Sequence, residues 1–546
     1  VTLWLAAAIS WACAGDKKPL FEYDDHYVML NDDGRNLFYR RALERALANC
    51  PRCSVLDVGA GSGLLSIMAA KLGAGQVTAI EANPALAELA VQTVARNAAS
   101  FPWSNVSVIS NLSSKVDVAE LPNGRPADLL VTETFGTMLL GEGAINFVPD
   151  ARDRLLREGG VMIPAGGCQY VTLVEIPDFH AAVAPGPWGG LNLSRLADLQ
   201  DTVYWKATVG ASSTKFVPLI ERLCVLEVDF YKDTRESVPE NRTFRVQATH
   251  SGIIHAALLD WDIWADASRA DILSTSPGSR SFAGDVAWGW LLHLQEEAGA
   301  DWRFGEHPRP LAVKKGDWVE LGVQFIARGI SLHARARAVA EEASSGTSDG
   351  AMVSGSPARM LGVNRADMVE ASELYLPVAG DSARHSFYNR ALDVALGHPA
   401  LVAEEFKTVL DCSGGGLPAL AAAKRGLHAL ALTHRAQFAK ALRKVAEDNG
   451  LSEQVEAYSA DPRDLIEALL PLGKRASIVV VDPPGTPLRG RSPFAIIPAI
   501  RERLLKEGGR IVPAGACLKV GLVESSDLAQ LVSVPGGHWR GVGLTG

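Results

Sequence analysis

The stretch VTETFGTMLLGEG, Val131 to Gly143, places Glu133 and Glu142 nine residues apart around an apolar centre, Met138 to Leu140, flanked by glycines. Two carboxylates facing one small pocket repel each other, and the arrival of a cation relieves that repulsion. The pair is therefore a candidate catalytic centre for a cationic guest.

A second constellation lies upstream. Asp57, Gly59, Gly61 and Gly63 in LDVGAGSG form a G-x-G-x-G turn between an apolar run and LLSIMAAKLGA, whose apolar residues recur at helical spacing. Glycines there permit positive φ and close backbone approach to a ligand at a helix N-terminus. Eighteen residues past Gly63, Glu81 ends the next strand-like run, where a carboxylate can accept hydrogen bonds from both ribose hydroxyls. Together they specify an adenosine-type ligand. A dinucleotide asks for G-x-G-x-x-G, and here the third glycine comes one residue early. S-adenosyl-L-methionine fits better, having no phosphate and a charged amino-acid end to sit near Asp57.

The elements that position these residues alternate. After the glycine turn come QVTAIEA, ALAELAVQTVARNAA, VSVIS and ADLLVTE, strand and helix patterns that imply a parallel sheet covered on both faces. From about Val174 to Ala340 the texture becomes all β, with runs such as CVLEVDFY, TFRVQAT and WVELGVQFIA. A small, polar Gly/Ser-rich linker follows. Then the first module recurs: FVPDARDRLLREGGVMIPAGGCQYVTLVE matches IIPAIRERLLKEGGRIVPAGACLKVGLVE at a displacement of 349 residues, as do DDGRNLFYRRAL and DSARHSFYNRAL.

Composition sets the outer bounds. At 546 residues, 47% apolar and 21% charged, the chain is long enough for about three globular domains. A net charge of −9 argues against wholesale nucleic-acid binding and suits partners rich in Lys or Arg. Seven cysteines are too sparse for a disulfide framework, which points to a reducing compartment. One CxxC, Cys50 and Cys53, has no second pair to complete a zinc set. The opening VTLWLAAAISWACAG resembles a signal-peptide end but lacks a basic n-region, so secretion is not expected. No run approaches a membrane span.

VLDVGAGSGLLS, AIEANP and ETFGTMLLGEG, in that order, resemble the protein arginine N-methyltransferases, and the duplication resembles the tandem-module type of that family. The resemblance implies an α/β fold. A Rossmann-like class I S-adenosylmethionine-dependent methyltransferase domain (20–175) would be followed by a β-barrel substrate-binding domain (176–345). A linker (346–368) then leads to a degenerate second methyltransferase domain (369–546), truncated before its own barrel. By position, Arg35 in MLNDDGR would pair with the methionine carboxylate, Asp57, Gly59, Gly61 and Gly63 would form the cofactor turn, and Glu81 would hold the ribose.

Met29, with His26 before it, would line the wall between cofactor and substrate. Phe21, Tyr23 and Tyr27 stand near where the family folds aromatic residues over the cofactor. The family's His-Trp substrate loop falls in DVAWGWLLHLQE: Trp290 matches the Trp, Gly289 stands at the His, and Leu292 stands where a polar residue is common. Thr249-His250 lies on a different strand. The tandem family can bind zinc between its modules, but this linker has neither Cys nor His, so no metal is expected.

Two glutamates suit a guanidinium, which is planar, permanently charged and offers a fixed fork of five donors. The resemblance thus implies methyl transfer from S-adenosyl-L-methionine to protein arginine, giving omega-N-monomethylarginine. Expected substrates are Arg/Gly-rich proteins or histones, in cytoplasm or nucleus, without direct nucleic-acid or membrane binding. The two modules are expected to pack as an intramolecular pseudo-dimer. Two other readings stay open: with Gly289 in place of the expected His, a cofactor-binding scaffold without turnover, or, separately, a methyltransferase for another acceptor.

The second copy has lost the chemistry. Asp482 stands for Glu133 and Arg491 for Glu142, with Pro483-Pro484 in the loop. Its glycine turn, LDCSGGGLP, is one residue shorter, Pro418 falls inside the following helix, and Thr433-His434 replaces the ribose carboxylate. Arg384, in the place of Arg35, survives.

Overall fold

The computed structural model describes residues 27–544 apart from 28, 102–103, 137, 177–186, 200–204, 208–215, 278–289, 295–310, 327–330, 340–346, 349–380, 434–435, 460–474, 482–492, 516–520 and 526–532. In the first unit, helix α1 (Asp33–Asn49) starts where the Asp32 carboxylate accepts the Arg35 backbone N–H at 2.9 Å, a side-chain N-cap. Strand β1 (Ser54–Val58) then enters the glycine turn, and α2 (Leu64–Lys71), β2 (Gln76–Glu81) and α3 (Pro84–Asn97) follow. Strands β3 (Asn105–Ser110) and β4 (Ala127–Thr132), helix α4 (Ala144–Leu155) and strand β5 (Leu156–Ile163) complete it.

The sheet order is β3-β2-β1-β4-β5, all parallel. Its central strands are buried along almost their whole length, as a parallel sheet covered on both faces requires. The order reverses between β1 and β4. In such sheets the ligand crevice opens at the carboxyl ends of the strands beside that reversal, where β1 delivers Asp57 and β4 delivers Glu133.

Strand β6 (Gly166–Glu175) lies on the first-module side of the boundary expected at 175, yet it pairs antiparallel with β7 (Leu223–Asp229) and β8 (Ala256–Trp264) of the β region. Strand β9 (Trp290–Leu294) pairs with the other edge of β8, in a seven-stranded sheet. Asn241–Gln247, Trp318–Ile326, Ser331–Val339 and Thr347–Ser348 form a four-stranded sheet. Cys168 and Cys224, on β6 and β7, are joined as a disulfide with Cα atoms 6.1 Å apart; a sparse cysteine set did not foretell it.

The second α/β unit repeats the first. Helix α5 (Ser382–Leu396) is capped by Asp381, which accepts the Arg384 N–H at 2.9 Å. Its strands are β10 (Thr408–Asp411), β11 (His428–Thr433), β12 (Val455–Ser459), β13 (Ala476–Val480) and β14 (Leu505–Val512). They are ordered β12-β11-β10-β13-β14, the arrangement of the first sheet. Pro418 falls in the first turn of the helix Leu417–Ala423, where its missing N–H costs nothing, so it does not break the helix.

A third repeated segment, hidden from an ungapped comparison by a shift of register, joins the units. WGGLNL (Trp188–Leu193) recurs as WRGVGL (Trp539–Leu544), displaced by 351 residues. Each makes a tight antiparallel turn, Trp188 with Leu191 and Trp539 with Val542. Each lies on the other unit. The Asn449 side chain clamps Asn192, donating to its carbonyl and accepting its N–H, both at 2.8 Å. Asn97 clamps Gly543 in the same manner, at 2.9 and 3.0 Å. Lys424 donates to the Gly189 carbonyl, and Lys71 to that of Gly541. Val174, Leu191, Leu193 and Leu258 share one apolar core with Leu392, Leu420 and Leu442 of the second unit.

Candidate active site

The glycine turn is built for backbone proximity. Gly59, Gly61 and Gly63 all have positive φ, at 77°, 55° and 88°. A Cβ on Gly59 would lie 2.5 Å from Thr134 Cγ2, so β1 and the loop after β4 can meet only over a bare glycine. Glu81, at the end of β2, is buried, and its carboxylate accepts the Gly61 N–H and the Asn83 N–H, each at 2.7 Å. It is thereby fixed beside the turn with lone pairs left over.

Asp57 is fully enclosed. Its Oδ2 accepts the Ser66 hydroxyl at 2.7 Å, while Oδ1 has no partner among the described residues. Burial pushes its carboxyl up to about 7; the Ser66 hydroxyl and, more weakly, the Arg35 guanidinium oppose this, and neighbouring Glu81 adds to it. A buried carboxylate oxygen without a donor is rare enough to need an explanation, and a cationic ligand group beside the turn supplies one. These residues fit the amino-acid and nucleoside ends of S-adenosylmethionine.

Arg35 leaves the first turn of α1 and meets Glu133 across the crevice. Its Nε donates to Glu133 Oε2 at 3.1 Å and its Nη2 to the same oxygen, while Nη1 donates to Asn36 Oδ1 at 2.8 Å. The two side chains are only 8% and 5% exposed. Burial works against the Arg35 charge, but the adjoining Glu133 carboxylate outweighs it and raises the pKa. Beneath them Tyr39 donates its hydroxyl to the Thr132 carbonyl at 3.0 Å, pinning the end of β4.

The two glutamates are not equally enclosed. Glu133 is buried against Arg35, whereas Glu142 is exposed, its Cγ lying 3.1 Å from where a Cβ on Gly136 would be. Glu133 has a guanidinium to offset its desolvation. Met29 lies half-buried in the helical turn before α1, with Tyr27. Trp290 opens β9, its backbone paired with Ala207, and Leu292 pairs with Leu258. Phe21, Tyr23, His26, Gly289, His434, Asp482, Pro483, Pro484 and Arg491 lie outside the described residues.

Sequence reasoning did not single out Asn36, which accepts from Arg35, Thr134, which abuts Gly59, Gln169, which accepts the Leu139 N–H, or Trp261, which donates to the Gly136 carbonyl. A polar Gln in the middle of the apolar strand GGCQYVTLVE was the only local signal for any of them. Among the described residues no group of three His, Cys, Asp or Glu could hold a metal ion, and no helix is long and apolar enough to cross a membrane.

Residues 41–167 match the family model of the ribosomal protein L11 methyltransferase (PrmA). An arginine N(omega)-methyltransferase of Streptomyces achromogenes subsp. streptozoticus is 31% identical over 253 residues, 46% of this chain and 66% of that protein. Protein arginine N-methyltransferase 7 of Drosophila ananassae is 31% identical over 269 residues, 46% of this chain and 37% of that protein. The chain thus spans just under two thirds of one relative and little more than a third of the other. A Trypanosoma brucei PRMT1 enzyme-prozyme complex with AdoHcy aligns at 22% identity and a TM-score of 0.46, over 59% of this chain and 96% of that one. By sequence, the chain is thus similar to proteins named as arginine N-methyltransferases, protein arginine N-methyltransferase 7 among them.

Proposed function

We propose that the chain transfers a methyl group from S-adenosyl-L-methionine to a guanidino nitrogen of arginine in protein substrates, giving omega-N-monomethylarginine. One observation carries the reading: Glu133, at the end of β4 and beside the glycine turn, already accepts two N–H bonds from a buried guanidinium. An arginine acceptor asks the same of it. When bound, S-adenosyl-L-methionine supplies an activated methyl group. The chain's own residues do the rest: Asp57 Oδ1 takes the ammonium, Arg35 the carboxylate and Glu81 the ribose hydroxyls.

Glu133 orients the acceptor nitrogen and takes its proton; Glu142 draws the positive charge to the remote nitrogens, so the attacking one keeps its lone pair. The reciprocal Trp-hairpin contacts support an intramolecular pseudo-dimer, in which the second unit is a degenerate methyltransferase module and the β region a barrel. The proposed substrates are Arg/Gly-rich proteins or histones, in cytoplasm or nucleus.

Mass spectrometry of an Arg-rich peptide incubated with the chain and S-adenosyl-L-methionine tests this. The expected result is a gain of one methyl group on arginine and no second, with the rate lowered roughly 100-fold in Glu133→Gln. Gly289, in place of the expected His, favours one other reading, a cofactor-binding scaffold. Tight cofactor binding with an unmodified peptide would establish that reading instead.

A further inference from the structure

The loop that carries both glutamates is held at its middle by the β region. Trp261, on β8, donates its indole N–H to the Gly136 carbonyl at 2.9 Å. The Leu139 N–H donates to Gln169 Oε1 at 3.0 Å, and Gln169 Nε2 donates onward to the Asp260 carbonyl at 2.8 Å. Gln169 and Trp261 are direct cross-strand partners in the β6–β8 register, and both are buried, 3% and 0% exposed. The Phe135 ring, next to the first anchored carbonyl, packs on Trp261 and on Phe230 at centroid distances of 6.0 and 5.6 Å.

These bonds are local in space and remote in sequence, and they bracket the loop between Glu133 and Glu142. A buried amide that both accepts from the loop and donates to a strand carbonyl cannot be replaced by an apolar side chain without orphaning both partners. The second copy supplies a natural contrast: at the displacement of 349, Leu518 stands where Gln169 does, in the copy that carries Asp482 and Arg491 for the two glutamates. Where the glutamate pair is gone, so is the amide that would hold its loop.

We propose that Gln169 and Trp261 are positioning residues for the acceptor side of the site, holding the loop of Glu133 and Glu142 in register from the β region. The inference rests on the methyl-transfer reading above. It separates the two halves of the site: the cofactor half, built on β1, β2 and α1, does not depend on these bonds, and the acceptor half does.

The test uses Gln169→Leu and Trp261→Phe in the full chain, the second keeping a ring against Phe135. Expected are a fall of about tenfold or more in kcat/KM for an Arg-rich peptide, a Kd for S-adenosyl-L-methionine within about twofold of wild type, and faster hydrogen exchange at the Leu139 amide in Gln169→Leu. Unchanged kcat/KM in both variants overturns the proposal. So does a cofactor Kd that weakens by the same factor as kcat/KM, which marks a merely structural role. Should Gln169→Leu fail to fold, Trp261→Phe decides by the same split. Should the wild-type chain methylate no arginine, the methyl-transfer reading fails separately. Hydrogen exchange across residues 134–141 then decides whether these side chains order the loop, and unaltered protection overturns the inference.

Discussion

At the scale of single residues, Asp57 carries the sharpest consequence. Its carboxyl is raised on folding from the ordinary aspartate value to about 7. An acid raised on folding contributes stability that is complete below its unfolded pKa near 3.8 and is lost as pH rises through the folded value. A cationic ligand reverses the preference, because it binds the ionised form. Between pH 5 and 7, affinity for S-adenosyl-L-methionine is expected to rise by up to about tenfold per pH unit, while the melting temperature of the free protein falls. Calorimetric titration and thermal melts of wild type and Asp57→Asn check this. The same pH slope in both proteins would remove Asp57 as the cause.

The placement of Asp57, the three glycines and Glu81 was legible because it follows from spacing within one strand-turn-helix-strand unit. The ion pair of Arg35 with Glu133 was not. Those residues are 98 positions apart, and only the parallel sheet brings the first turn of α1 over the end of β4. The burial of Glu133 likewise depends on the reach of Arg35.

At the scale of elements, alternating strand and helix patterns were enough to foresee the parallel sheet, because fully buried strands and amphipathic helices have distinct periods. The fate of β6 was not foreseeable by position. It follows β5 directly and resembles the first module's apolar runs, yet its partners β7 and β8 come later in the chain. Only their arrival decides which sheet takes it.

The β1–α2 turn offers a clean test of why its first residue is glycine. Gly59→Ala is expected to cost more than Gly73→Ala. Both have positive φ, worth about 1–2 kcal/mol for an L side chain, but only at Gly59 does the added Cβ meet a neighbour, Thr134. Urea denaturation of the two variants measures the difference. Equal losses would mean that the loop yields freely and that its approach to the turn is not enforced by glycine.

At the scale of the whole molecule, an ungapped comparison missed the Trp turns because the repeat slips from a displacement of 349 to 351 residues between one matched segment and the next. The asparagine clamps show that the two turns correspond: Asn97 and Asn449 grip equivalent peptide units on opposite units with the same pair of bonds. This mutual handshake is expected to make the covalent link between the halves dispensable once they have met. A chain carrying an engineered cleavage site between Ser354 and Gly362 is expected, after cutting, to travel through a sizing column as a single species. Asn97→Ala combined with Asn449→Ala is expected to let the fragments drift apart, because each embrace would lose both of its amide bonds and the peptide backbone would no longer be there to keep the halves neighbours.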